Sequence, residues 1–465
     1  MRTRKEYLIM FHPSFRGGVH PKDHKSLSSG SAIETLRPEG EMVYLLNAHI
    51  GAPAVPVVQA GDRVLVGQKL ADPGGFVSVP VHASVSGTVK SVGPHLCQNG
   101  DTGLAVTVEN DGLYEAVPGF GQERDWRRMP KEALIGAVRD AGIVGMGGAG
   151  FPTHVKLSVK PDLHIDTILC NGAECEPYIT CDYRLMLERA DLAVLGMQIL
   201  LSLFPDATGV FGIEDNKKDG MKKVREAIGQ ADNPEGRTMV VKSLKKKYPQ
   251  GGERMLIYAV TGRKINARQL PADAGCVVVN FSTLIAVAQA VAFQIPLMHR
   301  VVTVTGDAVA RPSNFDVPLG TPFGTLFEKA GGFVTEPEKI ISGGPMMGAA
   351  VYTIDLPVTK TTSCLLCMTK DELGNYEPEE CIRCGKCLTV CPERLMPIKL
   401  KNAADAGEYD VVEKLHGLEC IGCGCCTYIC PARRKISQSI TAAKNHILAE
   451  KKRAAMKQQE AQKKE

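Results

Sequence analysis

From Tyr44 to Val108 the chain alternates apolar and polar residues in short runs broken by glycine and proline, as in GDRVLVGQKLADPGG and VSVPVHASVSGTVKSVG. A period of two with turn signals every few residues predicts a small β sandwich over 41–115. Ahead of it, the turn-rich FHPSFRGGVHPKDHK predicts an extended arm over 1–40 that lies across another domain. After a linker holding Pro118, Gly119 and Gly121 the pattern changes. Leu134, Ile135, Val138 and Ala141 fall on one helical face. Helices and strands then alternate to about Arg300, which predicts an α/β domain over 125–300. VVTVTG (Val301–Gly306) opens a smaller β-rich unit over 301–358, with the loop GGPMMG at Gly343–Gly348. A cysteine-rich unit with a helical middle follows over 361–445. The tail, 446–465, is charged and rich in Ala, Lys, Glu and Gln, which suits a solvated helix or a disordered end.

Composition narrows the classes of function. A chain of 465 residues is too long for one hydrophobic core. A net charge of +4 and an aromatic content of 5% argue against nucleic acid as a partner. The opening MRTRKEYLIM has no apolar core or cleavage site of a signal peptide. Sixteen cysteines without an export signal point to a reducing compartment, where thiols serve metals. One charge-free stretch, Gly275 to Leu297, is long enough to raise the question of a membrane span. It is interrupted by Asn280, Ser282, Thr283, Gln289, Gln294 and Pro296, so CVVVN is read as a buried strand feeding a packed helix. No transmembrane segment is expected, and any membrane association runs through partners.

The strongest chemical signal is a doubled spacing. CIRCGKCLTVCP supplies Cys381, Cys384, Cys387 and Cys391, and CIGCGCCTYICP supplies Cys420, Cys423, Cys426 and Cys430. Each is the C-x2-C-x2-C-x3-C-P run in which three thiolates wrap one cubane and the fourth reaches the other. Two [4Fe–4S] clusters are expected, one on Cys381, Cys384, Cys387 and Cys430, the other on Cys420, Cys423, Cys426 and Cys391. Zinc sites commonly use two separated pairs instead. Cys425 falls outside the spacing. Cys364 and Cys367 form a C-x2-C pair with no second pair to complete it. These three, with Cys170, Cys175 and Cys181, are expected to be plain thiols.

Gly145, Gly147 and Gly150, with Gly148 between them, satisfy G-x-G-x-x-G, but a helical pattern precedes them where a dinucleotide fingerprint requires a strand. Phe151 and Lys156 follow at once, so a glycine-rich backbone, an aromatic and a cation share one short segment suited to a phosphate and a flat ring. Next, DTILCNGAECEPY reads as a strand ending at Asn171 and Gly172, with Glu174 and Glu176 exposed on the following loop.

GMGGAGFPTHVK with CNGAECEP resembles the NADH-oxidising flavin subunit of respiratory complex I. From about Phe15 to Lys444 the chain is more similar still to the C subunit of Rnf-type ion-translocating electron transport complexes. FRGGVHP, PVHASVSGTVK, NGAECEPY, GIEDNK, KYPQGGE, LPAD, GGPMMG and both cysteine runs carry that resemblance. It implies a multidomain α/β chain with small β domains: a barrel-sandwich hybrid, a complex I flavin-subunit-like α/β domain, a soluble-ligand-binding β-grasp (SLBB) domain and an α-helical ferredoxin domain. The hairpin tip of the hybrid, Pro73 to Val77, has no lysine for a prosthetic group, so docking or structure is its expected role.

By the same resemblance Gly145, Gly147, Gly148 and Gly150 cradle FMN, with Lys156 near its phosphate. Phe151 offers a face to the NADH adenine, and Asn171, Glu174 and Glu176 meet flavin and nicotinamide ribose. Gly252 and Glu253 line the same cavity, and Asn280 and Thr283 contact flavin. Met146, Ala173, Val159 and Gly252 depart from the complex I protein, which has Arg, Asp, an aromatic residue and Glu there. The implied activity is that of an electron-entry or exit subunit at the cytoplasmic face of the membrane. It exchanges hydride between NAD(H) and FMN and relays single electrons to membrane-embedded partner subunits and, through them, ferredoxin. Two other functions fit the same motifs: the cobalamin reductase of bacterial microcompartments, and a non-enzymatic iron–sulfur adaptor.

Overall fold

The structure, a computed structural model, describes residues 13–371 and 374–462. Residues 1–12 of the expected arm and 463–465 of the expected tail lie outside these.

At its centre is a four-stranded parallel sheet. Strand Thr167–Gly172 lies between Thr208–Glu214 and Cys276–Asn280, with Met239–Leu244 at the edge beyond Thr208–Glu214. Both faces are buried, so the strands read as continuous apolar runs instead of alternating ones. Ile168, Cys170, Phe211, Ile213, Val277 and Val279 pack in one core with helices Ala190–Leu203 and Phe281–Phe293. Leu169, Val210, Cys276 and Val278 pack in another with Leu256 and Ile257 of helix Glu253–Thr261. The chain steps outward through three strands and returns to the opposite side of the first for its fourth. That reversal, between Thr167–Gly172 and Cys276–Asn280, is a topological switch point, and ligands of open α/β sheets lie beyond the carboxyl ends of such strands.

The charge-free stretch is thus strand Cys276–Asn280 followed by the 13-residue helix Phe281–Phe293, as its polar interruptions suggested. Among the described residues no helix is long and apolar enough to cross a membrane.

The β sandwich joins a four-stranded sheet, in the order Glu41–Leu45, Thr102–Asn110, Gly87–Leu96, Arg63–Val64, to a three-stranded one. Met42, Leu46, Leu70, Val85 and Val106 lie in the core between them.

Three boundaries differ from the expected ones. Strand Cys364–Met368, assigned above to the ferredoxin unit, pairs with His299–Thr305 and Lys339–Ser342 in the six-stranded β-grasp sheet. Cys364, Leu365, Leu366 and Cys367 are all fully buried there, which makes the CxxC pair sheet core. Strand Ile33–Thr35 of the arm pairs with Ser313–Pro318 at the edge of the same sheet. The tail is no separate piece: helix Ile436–Gln462 runs through position 446, because Ile436, Ile440, Ala443 and Ile447 form one buried stripe along it.

Candidate cofactor sites

Several chain segments meet at the switch point. Asn171, at the end of its strand, donates from Nδ2 to the Gly251 carbonyl at 2.8 Å and so ties the strand to the loop before helix Glu253–Thr261, which Gly252 caps. Asn280 caps helix Phe281–Phe293 by accepting from the Ser282 amide at 2.9 Å, and donates to Asp182 at 2.6 Å. The glycine loop rests on that helix start: the Met146 amide donates to Thr283 Oγ1 at 3.0 Å, and a Cβ at Gly147 would lie 2.9 Å from Asn280 Nδ2. At Gly148 a Cβ would meet nothing within 4 Å. The loop is closed by the Gly145 amide on the Phe151 carbonyl at 2.8 Å and turned by Gly150 at φ +74°. Lys156 Nζ lies 3.1 Å from the Val278 carbonyl and 3.3 Å from Glu253. Glycine loop, cation, two strand ends and two helix starts are thus gathered on one side of the sheet.

Glu174 and Glu176 are placed otherwise than expected. The Glu174 side chain is 3% exposed. It accepts from the Asp182 amide at 2.7 Å and the Tyr183 amide at 3.3 Å in the first turn of helix Cys181–Glu188, and pairs with Lys25 of the arm at 3.4 Å. Glu176 accepts from the Met346 and Met347 amides of the GGPMMG loop, at 2.7 and 3.0 Å. Burial pushes both carboxyl groups up from their ordinary range. The loop folds under the arm and the β-grasp unit, so Glu174 ties a helix start of its own unit to Lys25 of the arm and Glu176 satisfies amides of the β-grasp unit, a purpose that their spacing does not reveal.

The two cysteine runs repeat one backbone. Arg383 and Gly385 in the first, and Gly422 and Gly424 in the second, occupy the same offsets with positive φ, and a short helix follows each. A left-handed residue is costly except at glycine, so the repeat at Arg383 signals a shared wrapping geometry. Cys391, Cys420, Cys423 and Cys426 line one small cavity whose other walls include Leu395, Pro397, Ile421 and Ile440, with Glu393 and Ser437 at its edge. These four are the ligand set that the spacing proposed: three thiols from one run and the fourth from the other, in an apolar cage. Of the other four, Cys381 and Cys384 are exposed, and Cys387 and Cys430 half-buried. Among the described residues no three His, Cys, Asp or Glu side chains close on a single metal-ion position; a cubane instead spreads its four thiolates over the cluster.

The cage abuts the loops at the switch point. Cys423 and Cys425 share a small core with Val19, Tyr248, Cys175 and Met346, drawn from the arm, the KYPQGGE and NGAECEPY loops and GGPMMG. Cys175 accepts from the Gly251 amide at 3.2 Å. Arg254, next to Glu253, holds Glu419 at 2.9 Å and Glu393 at 3.4 Å on the cysteine unit. Cys425, outside the ligand spacing, is thereby a packing residue of the seam.

Sequence reasoning missed Arg254, Tyr248, Lys25, Asp182, Arg300 and Lys360. Lys25 and Tyr248 lie within quoted motifs, and Arg254 and Arg300 directly flank KYPQGGE and VVTVTG; Asp182 and Lys360 stand apart from them, and most partners of the six lie far along the chain.

Four described domain families match in order: RnfC barrel-sandwich hybrid (13–113), Nuo51 FMN-binding domain (138–289), SLBB domain (301–350) and 4Fe-4S dicluster domain (380–433). The C subunit of the Na(+)-translocating ferredoxin:NAD(+) oxidoreductase complex of Acetobacterium woodii is 42% identical over 95% of this chain and 99% of its own. The proton-translocating counterpart of Clostridium ljungdahlii is 44% identical over 95% of this chain and 96% of its own. The C subunit of an ion-translocating oxidoreductase complex of Rhodobacter capsulatus is 39% identical over 87% of this chain and 78% of its own. A chain of an NAD+-reducing [NiFe]-hydrogenase aligns with 67% of this one and 61% of its own, at a TM-score of 0.47 and 21% identity.

Proposed function

The chain belongs to the family of C subunits of ion-translocating ferredoxin:NAD(+) oxidoreductase complexes, and on that premise we propose that it is the NAD(H)-facing subunit. In this reading it exchanges hydride between NAD(H) and FMN at the sheet switch point. It then relays single electrons through two [4Fe–4S] clusters to the other subunits, from a peripheral position on the cytoplasmic face. The observation that carries the proposal is the seam: the apolar cage of Cys391, Cys420, Cys423 and Cys426 packs directly against the loops of the nucleotide side.

When bound, FMN accepts a hydride and gives up electrons singly, and [4Fe–4S] clusters pass them on one at a time. The chain's own residues bind, orient and insulate. Gly148 leaves room for close approach of a ligand to the backbone, Gly147 admits Asn280 against the loop, and Lys156 supplies a cation at the strand ends for a phosphate. Asn171, Asn280 and Thr283 fix the loops that form the walls, and Phe151 offers a ring to the adenine. Glu253 and the helix start at Gly252 line the same side. Glu174 and Glu176 hold the NGAECEPY loop to the arm and to GGPMMG, which makes them positioning residues for the wall. Cys391, Cys420, Cys423 and Cys426 hold the cluster nearer the flavin. Cys381, Cys384, Cys387 and Cys430 hold the outer one, whose exposed cysteines face the partner subunits.

Anaerobic purification followed by flavin extraction, iron analysis and NADH-dependent dye reduction tests this reading. FMN, about eight irons per chain and dye reduction are expected together. Iron without flavin after gentle handling would leave only an electron adaptor.

A further inference from the structure

Behind the glycine loop lies a cation that none of the roles above uses. Arg300, at the start of the first strand of the β-grasp unit, is 3% exposed. Its Nη2 donates to the Met146 carbonyl at 2.6 Å and its Nε to the Thr362 carbonyl at 2.9 Å. Nη1 has no partner, and no carboxylate pairs with the guanidinium among the described residues. Buried charges are normally paired, since an unpaired one is strongly disfavoured in a poorly polarisable interior. Arginine cannot escape by losing its proton. A buried, always charged and unpaired group therefore imposes a fixed positive potential on whatever lies across the loop.

The position of the hydrogen bond matters as much as the charge. Across a trans peptide the carbonyl of one residue and the amide of the next point in opposite directions. With the Met146 carbonyl drawn toward Arg300, the Gly147 amide faces away from it. The Met146 amide is already held by Thr283, so the loop is pinned on both sides of that residue. The amides of Gly147 and Gly148 donate to no acceptor among the described residues. They remain available to a ligand on the open side of Gly148.

We propose that Arg300 is a positioning and charge-setting residue for the flavin loop. It fixes the Met146–Gly147 peptide with its amide toward the cofactor, and its unpaired charge favours the cofactor's reduced, more negatively charged state. The inference rests on the flavin reading above, and its test separates the two. Full-length protein is prepared as wild type, Arg300→Lys and Arg300→Met, each with its clusters reconstituted. In the flavin-free protein, amide hydrogen exchange across residues 143–150 should be faster in Arg300→Met than in wild type, with the Lys variant between them. In flavin-loaded protein, Arg300→Met should bind FMN about tenfold more weakly, the effect of losing one charged hydrogen bond. The flavin it retains should show a more negative midpoint potential, while Arg300→Lys keeps a potential near wild type. Equal potentials in wild type and Arg300→Met would overturn the charge role, and unchanged exchange would overturn the positioning role. Wild-type protein that takes up no flavin would sink the functional reading itself, whereas the exchange measurement would still decide what Arg300 does to the loop.

Discussion

The cysteine unit and the nucleotide side build their sites in opposite ways. The eight cysteines of the two runs lie between 381 and 430, and their spacing proposes two sets, one of which surrounds a single cavity. The nucleotide side draws on residues from the glycine loop at 145 to Arg300, with support from Lys360 and the arm, and no two of its segments are neighbours in sequence. A site made by one local wrap is specified by spacing. A site made by convergence is specified by topology, and its supporting residues carry no signature of their own.

The sharpest way to break this comparison is to separate the two clusters. Cys423→Ser should lower iron from about eight to about four per chain and leave a cluster that dithionite reduces but NADH does not. Cys384→Ser should lose as much iron, yet the surviving inner cluster should still be reduced by NADH. Electron paramagnetic resonance after each reductant reads the difference, and equal NADH reduction in both variants would refute the assigned order.

On the nucleotide side, Gly148→Val should abolish FMN retention while iron content stays as in wild type and thermal unfolding matches that of flavin-free wild type. A Cβ there meets no protein atom within 4 Å, so the substitution displaces no close neighbour of that atom and its expected effect is on a ligand. Gly147→Val should lower flavin content and stability together, since it displaces Asn280 from the helix start. Full FMN content in Gly148→Val would reduce the loop to a turn.

Smaller effects concern the support. Glu176→Ala leaves the Met346 and Met347 amides without their acceptor and should cost about 1–3 kcal/mol in denaturant unfolding. Glu176→Gln retains an acceptor oxygen and should cost less.

Lys360 is buried with two carbonyl partners, Pro80 at 2.8 Å and Gly142 at 2.7 Å, and burial lowers it from 10.5 to about 7. Between these values the unfolded chain binds the proton more tightly than the folded one, so stability rises with pH over that window. The burial cost is greatest below about pH 7, where both states are protonated. In Lys360→Met that rise should flatten, as unfolding at pH 6, 8 and 9.5 would reveal. Least of all, Cys364→Ala with Cys367→Ala should leave iron content unchanged, because both thiols lie in the core of the β-grasp sheet.

Much of the fold was legible because period and punctuation are local. The alternating runs of the sandwich, the apolar strands of the parallel sheet and the helical middle of the cysteine unit all follow from neighbours a few residues apart. The boundary near 361 was misplaced for the same reason: CLLC carries a metal-like spacing, and only pairing with His299–Thr305 and Lys339–Ser342 makes it a sheet strand. Glu174 and Glu176 follow their strand as the pattern predicts, but their inward orientation has no local signature. Acidic side chains after a strand look solvated until Lys25 and the amides of GGPMMG arrive from 149 and about 170 residues away.

By itself, then, the sequence determined the four kinds of unit, the two cysteine runs and the glycine loop proposed above for the flavin, since each is written in spacing that short-range sterics and metal chemistry enforce. Only the tertiary structure decided which cluster site faces the nucleotide side, which acids became internal ties, and that the unpaired charge of Arg300 lies beneath the glycine loop. Burial and hydrogen-bond partners across units are products of chain reversal at the sheet switch point and of the arm laid over it. Neither the strength of a buried charge nor the direction of a peptide amide is defined until those surfaces meet.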